Sequence, residues 1–372
     1  MEYFAVTTKS AEVCLVKELE KLGAERIKKS HSGVFFSGDR ALGYRANLSL
    51  RTATKILQKI DSFRCRNENE LYLNVLKINW PEFFEVTKTI FIRCDQRGNL
   101  FKNTHFLELK IKDAIADKFR TAMNKRPYVD KEKPDISVYC LVEKENATIY
   151  FNLSGESLHR RGYRKETSNA PIKETLAATL IDLSGWDGST YFYDPFCGFG
   201  TLVLEAAIKA HRYPPGLIRP NFTFAHLKDF DKKLWNTVRS EAQKKIIINT
   251  EYPIFASDNN GDNLKILQKS ISTLPFKNSI ILKKLDLSDI RPFAEEGTII
   301  CNPPYGIRLK QDNLNYLYKR MGEIFNKYFQ NHDIHILMGN EEFKKHFGLT
   351  PVKAVPVNNG KIECEFLTYR IK

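Results

Sequence analysis

An α/β protein whose C-terminal part is a doubly wound sheet of parallel strands is the fold class that the sequence predicts, on three observations. Beyond residue 185, apolar runs alternate with helical patterns: TYFYD at 190–194, IFASD at 254–258, SIILKK at 279–284, TIICN at 298–302 and IHILMG at 334–339. Short, nearly continuous apolar runs separated by helices suit parallel strands buried on both faces. Several runs end on or just before a polar group, Asp194, Asp258, Asp286 or Asn302, and groups so placed converge at the carboxyl edge of an open sheet, where ligands bind. Ahead of this part, the pattern of strands and helices starts twice, which predicts two smaller units.

In the first unit, residues 3–7 alternate as a strand and Val13, Leu15, Val16, Leu19 and Leu22 recur at helical spacing until Gly23 closes the segment. GVFFSG at 33–38 is a second strand, and Ala41, Tyr44, Leu48 and Leu50 mark a second helix, which makes a small α/β or ferredoxin-like unit of 55 residues. The second unit begins with helical residues 70–77. It continues through strand IFIRC (90–94), a long helix over 104–122 and the strands ISVYCLVEK and ATIYFNLS, ending near Ser154. The basic segment SLHRRGYRKETSNAP then leads into a helix with Pro171 near its first turn and Leu176, Ala177, Leu180 and Ile181 on one side. The major boundary falls here, giving domains at 1–55, 56–157 and 158–372.

Composition narrows the class. With 372 residues, 42% hydrophobic and 27% charged, the chain is expected to fold into two or three globular domains. No signal-like segment opens it and no uncharged apolar run approaches the roughly 20 residues that span a bilayer, so a cytoplasmic protein without membrane contact is expected. Seven scattered cysteines without a C-x-x-C pair encode neither a disulfide framework nor a zinc site. His159, His211 and His226 lack metal-ligand spacing, and no metal is expected. The net charge of +14 is uneven, with 31 Lys+Arg against 21 Asp+Glu in residues 1–165 and 27 against 23 in the remainder. An excess of this kind favours polyanions, and the N-terminal half carries most of it.

The strand ends carry the chemistry. In DPFCGFGT (194–201), a carboxylate precedes a glycine-bearing turn and a helix; Gly198 and Gly200 permit close approach of a ligand, while Thr201 opens a helix with free N–H groups. Val203 stands where a dinucleotide fingerprint needs its third glycine, which disfavours a pyrophosphate ligand. Asp258, helped by Asn259, suits a ribose diol, and Asp286 suits an exocyclic adenine amine. In NPPYG (302–306), the Asn302 side-chain oxygen and the Pro303 carbonyl are two acceptors on a backbone stiffened by Pro303 and Pro304. Tyr305 is placed to stack, and Gly306 lets the chain turn away. An amine conjugated to a base or an amide is a weak nucleophile, and two such acceptors orient its nitrogen toward an electrophilic methyl.

This constellation resembles the class I S-adenosylmethionine-dependent methyltransferases of the amino-group type. With RGYRKETSNAPIKETLAATLI ahead of it, the resemblance over 158–370 is to the ribosomal RNA guanine-N2 methyltransferases. Residues 60–155 are similar to a THUMP RNA-binding domain and residues 1–55 to the ferredoxin-like domain that precedes it in this family. The resemblance implies a Rossmann-like seven-stranded methyltransferase sheet, preceded by small α+β ferredoxin-like and THUMP domains. It implies that Asp194, Pro195, Phe196, Cys197, Gly198, Gly200 and Thr201 shape the methionine end of the cofactor site, that Asp258 and Asn259 hold ribose and that Asp286 contacts adenine. Asn302 through Tyr305 would position the acceptor amine, with Asn302 also against the cofactor. The insertion RYPPGLIRPNFTFAHLKDFDKKLW between the first two motifs fits the same subgroup. The longer bacterial form carries a second methyltransferase unit, whose activity is not expected of this chain.

The expected reaction is methyl transfer to guanine N2 of large-subunit (23S) ribosomal RNA, in free RNA or a pre-ribosomal particle, with S-adenosylhomocysteine as co-product. NPPY alone also suits tRNA guanine N2, DNA or RNA adenine N6 and protein glutamine; the basic N-terminal half and its THUMP resemblance favour RNA. A non-catalytic RNA-binding protein with a vestigial methyltransferase fold is the rival from another class, opposed by the intact Asp194, Asp258 and Asn302. Cys301 adjoins the loop but ends an apolar strand, and a packing role is expected rather than that of a pyrimidine-attacking thiolate. Arg160, Arg161, Tyr163 and Arg164 mix charge with an aromatic ring and are expected to contact RNA.

Overall fold

The computed structural model describes residues 1–164, 172–248, 251–305 and 311–371. Pro171 and Gly306, named above as helix opener and loop exit, lie outside the described residues. The chain divides into two compact units, one of residues 1–7, 16–158 and 219–240, the other of 8–15, 159–218 and 241–372.

The first unit is built on β1 (Glu2–Val6), α1 (Glu12–Lys21), β2 (Glu25–Ser30), β3 (Gly33–Ser37), α2 (Arg40–Ser49), β4 (Lys55–Arg64), α3 (Glu68–Lys77), α4 (Trp80–Phe83), β5 (Ile90–Arg97), α5 (Thr104–Met123), β6 (Ile136–Glu143) and β7 (Asn146–Asn152); the first residues of α1 are assigned to the second unit. The strands form one sheet in the order β2-β3-β1-β4-β7-β6-β5. The two N-terminal units expected from sequence therefore share a sheet. β4 pairs with β1 along one edge and with β7 along the other, so the expected boundary between residues 55 and 56 falls at the start of a strand. Two strands had no periodic signal. β2 is the polar run ERIKKS, exposed at the edge with β3 as its sheet neighbour, and β4 shifts register between Lys59 and Asp61, which breaks a period-two pattern.

Most of the insertion, residues 219–235, belongs to this first unit together with the residues up to 240, rather than to the methyltransferase part. Phe224 packs on Tyr44 with ring centroids 4.7 Å apart, Trp235 meets Tyr44 edge-on at 5.8 Å, and the Asp231 N–H donates to the Tyr44 hydroxyl at 3.1 Å. Four aromatic residues in PNFTFAHLKDFDKKLW, Phe222, Phe224, Phe230 and Trp235, explain the placement, because aromatic rings bury the most apolar area per residue.

The second unit continues with α6 (Glu174–Ser184), β8 (Phe192–Asp194), α7 (Thr201–Ala210), α8 (Lys232–Gln243), β9 (Ile254–Asp258), α9 (Gly261–Ile271), β10 (Ile280–Lys284), β11 (Gly297–Cys301), α10 (Gln311–Tyr328), β12 (His332–Met338), α11 (Glu342–Phe347), β13 (Lys353–Asn359) and β14 (Ile362–Arg370); α8 begins in the first unit. The sheet order is β10-β9-β8-β11-β12-β14-β13. β8 to β12 are parallel, as the apolar runs predict, while β14 is antiparallel to both β12 and β13, which makes the sheet mixed. Both faces are covered. Phe192, Ile254, Ala256 and Ile300 join the core under α6, α7 and α9, whereas their neighbours Tyr193, Phe255, Ile299 and Cys301 join the core under α10 and α11. Chain order reverses between β8 and β11, where the crevice of a doubly wound fold opens. Among the described residues, no helix is long and apolar enough to cross a membrane.

Candidate active site

The four polar strand ends lie side by side. Tyr193 pairs with Ile299, Asp194 with Ala256, and Lys284 with Asp258. Asp194, Asn302, Asp258 and Asp286 therefore leave neighbouring parallel strands at the same edge of the sheet.

The loop after β8 is held by its neighbour strand. The Cys197 N–H donates to the Ser257 carbonyl at 2.9 Å, and the Gly198 N–H to Asp258 Oδ2 at 2.8 Å. Gly198 and Gly200 have φ of 52° and 78°, left-handed values that glycine adopts without strain. A Cβ on Gly198 would meet nothing within 4 Å, whereas one on Gly200 would collide with Leu267 at 2.2 Å. The loop is thus closely packed at Gly200 and open at Gly198. It leads into α7, whose first-turn N–H groups have no intrahelical acceptor. This open cradle fits a cofactor laid against the backbone.

Asp194 is 1% exposed, and its Oδ1 accepts the Phe196 N–H at 3.1 Å. Burial pushes its carboxyl well above the usual range, with the nearby Asp258 charge adding to the rise. Asp258 is occupied by this chain's own donors: besides Gly198, its Oδ1 accepts the Asn260 N–H at 2.8 Å and Asn263 Nδ2 at 3.2 Å. A carboxylate has about four lone-pair sites, so little capacity is left for the two ribose hydroxyls that the sequence reading gave it. Asn259 and Asp286 are exposed at the same edge. Cys197 is buried, and burial raises its thiol far above the ordinary value.

Asn302 follows β11, and its Oδ1 is buried without a hydrogen-bond partner among the described residues. A buried acceptor left unpaired costs about 1–3 kcal/mol, a cost that a donor N–H brought to this oxygen would relieve. Pro303 is buried and Pro304 exposed. Two residues that the sequence reading missed fix the loop. The Tyr318 hydroxyl, on α10, donates to the Pro304 carbonyl at 2.9 Å, and Asn359 Nδ2 donates to the Tyr305 hydroxyl at 2.8 Å. N-N-G at 358–360 is a turn signal that would have marked the hairpin, although nothing in it points to Tyr305. Cys301 is fully buried, and burial pushes its thiol well up, which leaves no thiolate for attack on a pyrimidine.

The basic segment needs correction. Arg161 and Tyr163 are each 1% exposed, with Arg161 Nε donating to Glu205 Oε1 at 3.1 Å and the Tyr163 hydroxyl donating to the same oxygen at 3.2 Å. Glu205, on α7, is itself fully buried, and its charge draws both donors inward. Arg164 donates to Thr201 Oγ1 at 2.6 Å and lies 3.5 Å from Glu174. Three of the four residues expected at RNA thus tie the segment to α6 and α7; Arg160 remains exposed. Among the described residues, no cluster of three metal-ligating side chains forms.

Three family matches cover most of the chain: an RMKL-like methyltransferase domain over residues 161–368, a THUMP domain over 65–152 and an RlmL ferredoxin-like domain over 2–57. A Synechocystis sp. protein provisionally named an RNA methyltransferase is 35% identical over 99% of this chain and 96% of its own length. The ribosomal RNA large subunit methyltransferase K/L of Shewanella amazonensis is 34% identical over 99% of this chain, and that of Psychromonas ingrahamii 36% over 100%. This chain spans about half the length of these K/L relatives, 53% and 50%. Among solved structures, a provisionally assigned methyltransferase in complex with S-adenosylhomocysteine superposes with TM-score 0.90 at 27% identity, covering 100% of this chain and 98% of its own. A Clostridium difficile chain provisionally assigned as a methylase gives 0.90 at 28%, with the same coverage. With its methyltransferase domain built around the Asp194 and Asn302 strand ends, and with ferredoxin-like and THUMP domains ahead of it, the chain belongs to the RMKL-like methyltransferase family.

Proposed function

We propose that this protein transfers the methyl group of S-adenosylmethionine to the exocyclic N2 amine of a guanine in large-subunit ribosomal RNA. The observation that carries the reading is the buried, unpaired Asn302 Oδ1 at the head of N-P-P-Y, beside the glycine cradle of Gly198. When bound, the cofactor supplies an electrophilic methyl carbon on a sulfonium sulfur. Asp194, Pro195, Phe196, Cys197, Gly198, Gly200 and Thr201 would surround its methionine part, with Asp258, Asn259 and Asp286 toward the nucleoside. Asn302 Oδ1 accepts one N–H of the acceptor amine and the Pro303 carbonyl the other, which restrains the nitrogen in an attacking orientation without a strong base. The proton released on transfer passes to solvent.

RNA is favoured by the excess of basic residues in 1–165, by the THUMP match over 65–152 and by relatives named for large-subunit ribosomal RNA. A cytoplasmic site of action, on free RNA or a pre-ribosomal particle, goes with that reading. Nucleoside mass spectrometry on ribosomal RNA from a deletion strain tests it. N2-methylguanosine should fall and return with the wild-type gene, and Asn302→Ala should not restore it even though the purified variant still binds cofactor in calorimetry. An unchanged N2-methylguanosine level sinks the substrate assignment.

A further inference from the structure

The Tyr305 ring packs against the core of this unit, and its hydroxyl meets both Asn359 and Cys364. Its hydroxyl accepts the Asn359 side-chain amide at 2.8 Å, and its ring lies against Gly339 so closely that a Cβ there would stand 2.4 Å from both Cδ2 and Cε2. Gly339 directly follows β12, and Asn359 is the last residue of β13. The register explains how a hairpin residue reaches the catalytic loop. Met338, the last residue of β12, pairs with Glu365, while β14 begins at Ile362 and Asn359 pairs with Ile362 across the turn. The hairpin therefore runs three residues past the end of β12, about 10 Å at strand rise, on the edge of the sheet where Asn302 and Tyr305 sit. One residue before Tyr305, the carbonyl of Pro304 is fixed by Tyr318.

We infer that Asn359 is a positioning residue for methyl transfer: it locks the Tyr305 ring against Gly339 so that the acceptor base meets a stacking surface of fixed orientation. The inference rests on the amino-transfer reading above and adds the residue that sets the ring. Gly339 and the core leave the ring little room to turn about χ1, so loss of the Asn359 donor acts on the tilt of the ring and the place of its hydroxyl, and a base stacked on it leaves the orientation imposed by Asn302; small misplacements of a reacting group are costly. Asn359 acts through Tyr305, whose hydroxyl it holds.

The test combines kinetics with a signal from the ring. Asn359→Leu keeps the size of the side chain and removes the donor; it should lower kcat roughly tenfold while KM for S-adenosylmethionine stays unchanged. Asn359→Asp should keep kcat near the wild-type value, because the Tyr305 hydroxyl then donates a hydrogen bond to its carboxylate. Adding Tyr305→Phe to Asn359→Leu should cause no further loss. In protein carrying ring-¹³C tyrosine, the Tyr305 resonance, assigned by its disappearance in Tyr305→Phe, should shift and broaden in Asn359→Leu. Full kcat in Asn359→Leu, an additive loss in the double variant or an unmoved Tyr305 resonance each overturn the lock. If wild-type protein does not methylate guanine N2 in RNA, the substrate reading falls, and the Tyr305 resonance alone decides the lock: moved upholds it, unmoved overturns it.

Discussion

Asn302 and Asp194 show two ways in which a side chain gives up stability at a binding edge. The amide oxygen of Asn302 is buried without a donor, and Asp194 is a buried carboxyl with its proton affinity raised by burial. The sign of the pH dependence follows. The folded carboxyl holds its proton at pH values where the unfolded one has lost it, so this site favours folding below the usual carboxylate pKa and disfavours it as pH rises toward the raised folded value. Asp194→Asn removes the cost of ionisation and keeps an acceptor for the Phe196 N–H. Thermal unfolding without cofactor should show the variant more stable at pH 7 by about 2–4 °C, the shift that ~1 kcal/mol gives in a domain of this size. The gain should vanish near pH 4, and equal or lower stability at pH 7 would contradict it.

At the scale of elements, the connector at 159–164 is held to α7 by charge. Arg161, Tyr163 and Glu205 form a buried network in which one carboxylate receives two donors. Removing one member of a buried pair costs about 3–5 kcal/mol, whereas replacing both with apolar groups is often neutral. Arg161→Ala should therefore cost about that much in chemical denaturation, and R161M combined with E205L should recover most of it. If Arg161→Ala changed stability by less than about 0.5 kcal/mol, the range of ordinary surface substitutions, the network would have no structural role. The basic string HRRGYR looked like an RNA contact because sequence shows charge but not burial; its partner Glu205 lies 44 positions from Arg161. β2 and β4 were invisible for related reasons: one is a polar edge strand and the other changes register midway.

Across the whole molecule, residues 1–165 hold 31 basic against 21 acidic side chains, and RNA binding should consequently respond steeply to salt. Releasing counterions from even two or three phosphates lowers affinity more than about tenfold between 50 and 200 mM KCl. Filter binding or anisotropy with ribosomal RNA should show at least that fall, and a flat response would remove phosphate contacts from the recognition. The same measurement with S-adenosylmethionine should show a much smaller change, because its cradle is made of backbone, short polar groups and carboxylates, and no phosphate counterions are released on binding.

The sequence by itself determined the parallel strands of the second sheet and the order of polar groups at their ends. An apolar run that stops at DPFCGFG or NPPY carries its own local signal: glycine and proline act on the backbone where they stand, and burial on both faces leaves a continuous apolar stretch. Tertiary structure decided what long-range pairing alone can create. It joined the two N-terminal units through β4, placed part of the insertion in the first unit, buried Arg161 and Tyr163 on Glu205, and brought Asn359 onto Tyr305. Those contacts join residues 42 to 54 positions apart or more, and the energy of each depends on a partner that no local pattern names.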